Sequence, residues 1–306
     1  MILTITLNPC IDKSSTLPIL EPETKLRCAE VVHEAGGGGI NVSKALKKLS
    51  LPSFALFPAG GHNGNMLCSI LKKDDILFHA IDTQVETREN WIVLENNTNH
   101  QFRFTFPGRK VSEDIIHRIV DKIRSIKPEF IIASGSMPPG LPESSYGMII
   151  DAAAEIGCKC VIDTSGSALE AIKGRKAFLI KPNIGEMSKL LDMDKIAPHE
   201  VADCAHKLIE EEYSSFVVVS MGADGAWLVG KEERHFVKAP SVPKKSTVGA
   251  GDSMVAGITY ALHNGCSIKE AIQWGVACGS AATMNEGTQL FDASTVELLL
   301  KQIQLS

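Results

Sequence analysis

The chain has 306 residues, 44% hydrophobic and 22% charged, with a formal net charge of −5. That length buries one large core, or one large domain with a small accessory. The acidic balance excludes a general attraction to nucleic acid or to an anionic membrane, so a phosphorylated ligand must be held by local basic groups.

Met1–Leu7 alternates like a strand and lacks a basic leader, so it reads as structure and not as a signal peptide. No apolar run is long enough to cross a bilayer. The cysteines (Cys10, Cys28, Cys68, Cys158, Cys160, Cys204, Cys266, Cys278) form no CxxC pair. They read as small buried hydrophobes in a reducing cytoplasm. A metal–thiolate site is not expected, and Cys158 and Cys160 are badly spaced for a zinc ribbon.

In chain order, a strand at Leu3–Leu7 is followed by Asp12, then by Glu21–Glu34, which reads as short extended pieces. Gly36–Gly39 runs straight into a helix that ends near Leu49. Further strands are predicted at Phe54–Pro58, Phe130–Ala133, Cys160–Asp163, Phe178–Lys181 and Phe216–Ser220. Several are continuously apolar, as strands covered on both faces are. Amphipathic helices are predicted at Glu113–Ile126, Ser144–Ile156, Val201–Glu211 and Ile268–Ala282. This alternation predicts a parallel sheet between helix layers, with ligands at the carboxyl ends of its strands. Asn90–Phe106 breaks the rhythm as a hairpin around Asn96–Asn99. With Glu21–Glu34 it predicts a small separate sheet, a lid over the strand ends.

Ser246-Thr247-Val248-Gly249-Ala250-Gly251-Asp252-Ser253 carries the most chemical information. A helix-like run starts at Met254, so unpaired N–H groups and the positive end of a helix dipole lie here. A carboxylate aimed at an anion hole makes sense if it handles a proton. The segment therefore points to phosphoryl transfer to a hydroxyl, with Asp252 as base. Gly36–Gly39 reads either as a flexible linker or as backbone brought close to a ligand. No register gives GxGxxG, and no GxxxxGK[ST] loop is present.

Asn183 and Glu186, in NxxE spacing, read as an ordinary helix start or as oxygen ligands and water positioners for Mg²⁺. Lys25, Arg27, Arg88 and Arg103 are the basic residues of the two odd segments. Lys25 and Arg27 would share one face of a strand, either guarding an edge or gripping a phosphate. Asp12 can accept hydrogen bonds from sugar hydroxyls. The nine scattered histidines carry no signal.

Gly36–Ser43 with Thr247–Asp252 resembles the two signatures of the PfkB carbohydrate kinases, and Lys181-Pro182-Asn183-x-x-Glu186 matches a third motif. The resemblance spans essentially the whole chain. It implies a ribokinase-like α/β fold: a three-layer α/β/α sandwich with a mostly parallel central sheet and a small β-sheet lid. One domain over 1–306 is expected, the lid coming from about 12–34 and 87–107. Leu7–Asp12, Lys25–Cys28, Phe57–Gly61, Ser134–Gly140, Gly279–Thr283 and the Ser246-Thr247 start of the second signature resemble the phosphosugar branch, especially its 6-phosphofructokinases.

The resemblance implies an Asp252 base and an anion hole from Gly249, Ala250 and Gly251. It puts Asp12, Gly37, Gly38 and Asn41 on the sugar, and Lys25, Arg27, Arg88 and Arg103 on its phosphate. Lys181, Asn183, Ser220, Gly222 and Thr247 would serve ATP, with Asn183 and Glu186 near Mg²⁺. A K⁺ site is implied at Ser246, Val248, Ala282, Asn285 and Gly287, although Gln289 stands where relatives carry arginine. The expected reaction is transfer of the ATP γ-phosphate to C1 of fructose 6-phosphate, in a homodimer paired through the lid. Rivals are tagatose 6-phosphate or fructose 1-phosphate as acceptor, and a non-catalytic sugar or nucleotide sensor. A nicotinamide dehydrogenase is excluded by the missing fingerprint.

Overall fold

The computed structural model describes residues 1–285 and 289–305, without the side chains of the last two. A nine-stranded sheet forms the centre, ordered β13-β12-β11-β10-β9-β8-β1-β4-β5. Its strands are β1 (Ile2–Ile5), β4 (Ser53–Ala59), β5 (Leu77–Asp82), β8 (Phe130–Ser134), β9 (Lys159–Asp163), β10 (Ala177–Ile180), β11 (Ser214–Ser220), β12 (Ala226–Val229) and β13 (Arg234–Val237). Pairing from β11 to β5 is parallel throughout; β12 and β13 add an antiparallel hairpin at one edge.

Strand periodicity divides the core. Leu3, Ile5, Ile131 and Ile162 face α3 (Asp114–Ile126), α4 (Ser145–Glu155), α5 (Ser167–Glu170), α6 (Ile184–Leu190) and α7 (Val201–Glu210). Ile2, Phe130, Ile132 and Val161 face α1 (Gly38–Lys48), α8 (Ala250–His263), α9 (Ile268–Thr283) and α10 (Ala293–Leu305). Both faces are covered, which is why these strands are apolar at successive positions. α2 (Gly61–Lys73) closes a third cluster with Phe57, Ile11 and Ala35.

A second, four-stranded sheet has the order β3-β2-β6-β7, from β2 (Cys10–Leu17), β3 (Val32–Gly36), β6 (Arg88–Glu95) and β7 (Gln101–Thr105). β6 and β7 form the hairpin read from sequence; its turn is held by Asn99 N–H donating to Glu95 C=O at 2.8 Å. Glu21–Glu34 differs from expectation. Only Val32 onward is strand, and the stretch before it is irregular, so Lys25 and Arg27 share no strand face. The sheet also takes in Cys10–Leu17, most of it inside the expected stretch of about 12–34; its serines and lysine hide its strand character, and four of its side chains are only partly buried. β5, β12, β13 and α2 were also not anticipated. β5 is an edge strand whose apolar run is short and interrupted by His79, with exposed positions alternating over its first four residues.

Candidate active site

The turns after β1, β8, β9 and β10 meet the starts of α1 and α8 at one end of the large sheet. Asp252 lies in the first turn of α8, whose N-cap, Gly249, has φ +71°. That left-handed conformation suits glycine. The N–H groups of Gly249, Gly251 and Asp252 have no acceptor among the described residues, and Ala250 N–H makes only a long 3.4 Å contact to Thr247 C=O. Helix polarity and free donors thus coincide.

The Asp252 carboxylate is half-buried. Its Oδ2 accepts from Asn41 Nδ2 at 2.9 Å, and its Oδ1 lies 3.3 Å from Ser134 Oγ. Burial, then the neighbouring Asp163 carboxylate, pushes its pKa up to about 6, against the opposing pull of Asn41, Lys181 and Ser134. Lys181, from the end of β10, is buried with its Nζ 3.1 Å from Asp163 Oδ1. Burial disfavours its charge, but Asp163 foremost, then Asp252 and Glu186, hold its pKa above the ordinary lysine value. A Cβ at Gly251 would stand 3.3 Å from Lys181 Nζ, so the ammonium borders the amide-lined helix start. An anion held here meets dipole, N–H groups and a fixed positive charge together.

The glycine run packs against the same place. A Cβ at Gly38 would fall 2.2 Å from Ser134 Oγ, which leaves room only for glycine. Gly37 is the N-cap of α1, and Asn41 one turn later reaches Asp252. The flexible-linker reading is therefore not realised. Asp12 is buried on β2 and accepts from Asn90 Nδ2 at 2.8 Å.

Asn183 and Glu186 form a reciprocal capping box at the start of α6, each donating N–H to the other's side chain at 2.9 Å. The helix-start reading is thus present in full, and it uses only Oε2 of Glu186. Burial raises the Glu186 pKa. Ser220, ending β11, bridges to Asn183; Gly222 follows with φ +61°, and Thr247 is exposed. Ser246, Val248 and Ala282 are buried, and Asn285 Nδ2 donates to Leu290 C=O at 2.7 Å. Gly287 lies outside the described residues, and Gln289 is exposed.

The basic residues are not gathered equally. Arg88 spends most of its fork on the protein: Nε and Nη2 donate to Asn8 C=O at 3.2 and 3.1 Å, and Nη1 to Phe106 C=O at 2.9 Å and Asn90 Oδ1 at 3.3 Å. Arg103 is exposed on β7, opposite Ile92. Lys25 and Arg27 are exposed on the irregular segment, away from any hydrogen bond to the site. Sequence reasoning assigned no role to Ser134, Asp163 or Asn90. Asp163 ends a predicted strand and Ser134 directly follows one, which was the available signal. Gly135 C=O, beside Ser134, is clamped by Tyr146 Oη at 2.6 Å and Thr164 Oγ1 at 2.8 Å.

The family model for pfkB family carbohydrate kinases matches residues 1–295. The chain belongs to the pfkB carbohydrate kinase family. It is an ATP-dependent sugar kinase with a ribokinase-like fold. The kinase is 38% identical over 291 residues to the ATP-dependent 6-phosphofructokinase isozyme 2 of Escherichia coli K12, covering 94% of each chain. It is 33% identical over 309 residues to a 1-phosphofructokinase of Borreliella burgdorferi, covering 100% of this chain and 98% of that one. The crystal structure of E. coli phosphofructokinase-2 in complex with potassium is similar with a TM-score of 0.94, at 36% identity and 99% coverage of both chains.

Proposed function

We propose that this kinase transfers the γ-phosphate of ATP to the C1 hydroxyl of fructose 6-phosphate, giving fructose 1,6-bisphosphate. The observation that carries the chemistry is the Asp252 carboxyl, raised to about 6 beside an amide-lined helix start and the Lys181 ammonium. At neutral pH it is ionised yet basic enough to take a hydroxyl proton. Asp252 accepts that proton as the phosphoryl group moves in line from ATP to the oxygen. The N–H groups of Gly249, Ala250 and Gly251 and the Lys181 ammonium offset charge on the transferring oxygens.

Asn183 and Glu186 would hold Mg²⁺ through water. The fit rests on Glu186: its Oε2 is tied to the Asn183 N–H, while its Oε1 has no protein partner among the described residues. One open carboxylate oxygen suits an ion that keeps several waters. The ion, when bound with ATP, neutralises charge on the phosphate oxygens. Ser220, Gly222 and Thr247 are assigned to the nucleotide. Ser246, Val248, Ala282 and Asn285 are assigned with Gly287 to K⁺, which the potassium complex of the E. coli relative supports.

Asp12, Gly37, Gly38 and Asn41 are assigned to the sugar. The remaining Nη2 N–H of Arg88, Arg103, and Lys25 and Arg27 after rearrangement of their exposed segment are assigned to its phosphate. The 38% identity to a 6-phosphofructokinase favours this acceptor. The full-length match to a 1-phosphofructokinase supports fructose 1-phosphate as the second reading. We also assign a homodimer through the lid, supported by Trp91 and Phe104, exposed cross-strand partners on β6 and β7. Eight free thiols support a reducing cytoplasm.

One MgATP-dependent assay decides the substrate: fructose 6-phosphate, tagatose 6-phosphate, fructose 1-phosphate and free fructose, with product phosphates located by NMR. Fructose 6-phosphate should give the highest kcat/KM. Preference for fructose 1-phosphate would install the second reading, and no turnover on any sugar would refute the kinase assignment to phosphoketoses.

A further inference from the structure

Asn90 sits on β6 directly opposite Asp12 on β2 and Thr105 on β7, so the three share one face of the small sheet. Its amide is used at both ends. Nδ2 donates to Asp12 Oδ1 at 2.8 Å and to Cys10 Sγ at 3.1 Å. Oδ1 accepts from Arg88 Nη1 at 3.3 Å and from Phe106 N–H at 3.4 Å. The neighbours fix which end is which, because a carboxylate only accepts and a guanidinium only donates.

Asp12 is 8% exposed, and such a carboxylate needs partners. Oδ1 has two, Asn90 and the Cys10 thiol at 3.3 Å. Oδ2 has none among the described residues. A Cβ at Gly36 would come within 2.1 Å of it, so the glycine loop approaches closely on that side. One oxygen is thereby tethered and the other left for a ligand's hydroxyl groups. Arg88 is tethered by the same amide. Aspartate at 90 would repel Asp12, and alanine would leave both partners short of a bond. A neutral side chain of this length that donates one way and accepts the other is asparagine.

We propose that Asn90 is a positioning residue for the acceptor, aligning the Asp12 carboxylate and the Arg88 guanidinium as one unit so that the hydroxyl end and the phosphate end of the sugar are registered together. This rests on the phosphosugar reading above and extends it to a residue that touches neither ATP nor the reacting atoms.

The test is initial-rate kinetics on the full-length enzyme, varying fructose 6-phosphate and ATP separately, for wild type, Asn90→Ala and the near-isosteric Asn90→Asp, with urea unfolding of each. Loss of a hydrogen bond to a charged group predicts a rise of roughly 10- to 100-fold in the sugar KM. The KM for ATP and kcat should stay within about threefold of wild type, since Asn90 is remote from both. Asn90→Asp keeps the shape but sets a second carboxylate opposite Asp12 and removes the donor to it, so it too should raise the sugar KM.

Sugar KM values within twofold of wild type in both variants would overturn the proposal. So would kcat and both KM values changing together in step with lost stability. If Asn90→Ala does not fold, Asn90→Asp alone decides. Wild-type turnover with unaffected variants sinks this inference only, whereas a wild type inactive on every phosphosugar sinks the functional reading beneath it.

Discussion

Replacing Asp252 by asparagine removes the proposed base while keeping its shape and a set of workable hydrogen bonds: the new carbonyl oxygen can accept from Asn41, and the new NH₂ can donate to Ser134 Oγ. Two effects of opposite sign follow. Loss of the base should lower kcat by roughly 10²–10⁴ with little change in ATP binding. Stability should rise. Folding lifts this carboxyl from 3.8 to about 6, so ionised Asp252 costs the native state on the order of 2–3 kcal/mol. The sign is set by proton counting: between pH 4 and 6 the native state binds more protons than the unfolded chain, so stability falls as pH rises through that window. Above pH 7 the cost is complete, and below pH 4 it vanishes. Asparagine abolishes this dependence. Urea unfolding at pH 8 should therefore show the variant more stable than wild type, with the two curves converging near pH 4. Near-normal turnover would remove Asp252 from the mechanism. Equal stability at pH 8 would show that the site does not hold its carboxylate against the cost of burial.

Lys181→Met should cost at least 10²-fold in kcat, because the ammonium borders the proposed anion hole at the start of α8. It also removes the charge that lowers the Asp252 pKa, so the acid limb of the pH–kcat/KM profile should move above about 6; an unmoved limb would contradict the coupling. Gly251→Ala places a methyl 3.3 Å from Lys181 Nζ. Activity should fall roughly 3- to 10-fold through this small displacement, while helix propensity raises thermal stability slightly, and a full-activity variant would show that Lys181 does not border the site as described. Arg103→Ala should raise the phosphosugar KM without changing the KM for ATP. Arg88→Ala should do both that and lower the melting temperature, since it also removes bonds to Asn8 and Phe106; equal thermal stability of the two variants would argue against a structural part for those bonds.

Features encoded by adjacent residues could be read from the chain alone. The apolar strands were legible because burial on both faces forces apolar side chains at successive positions, as at Phe130–Ala133. The Gly249–Asp252 turn was legible because its chemistry is local: a glycine cap, free N–H groups and one carboxylate within four residues. The family signatures added the family to which the chain belongs. β2 gave no such pattern because it is a polar strand of the small sheet with four of its eight side chains only partly buried, and the irregular course of the stretch holding Lys25 and Arg27 was hidden because their spacing suits a strand equally well.

What only the tertiary structure decided concerns pairs far apart in sequence. The Asp252 carboxylate meets Asn41 across 211 positions and Ser134 across 118. Asp12 meets Asn90 across 78. Arg88, read from sequence as a free phosphate fork, proves to be largely committed to the backbone of Asn8 and Phe106. A side chain's identity sets which bonds and charges it can offer. Which of these remain available to a ligand depends on the donors, acceptors and buried charges that folding brings alongside, and no spacing along the chain records them.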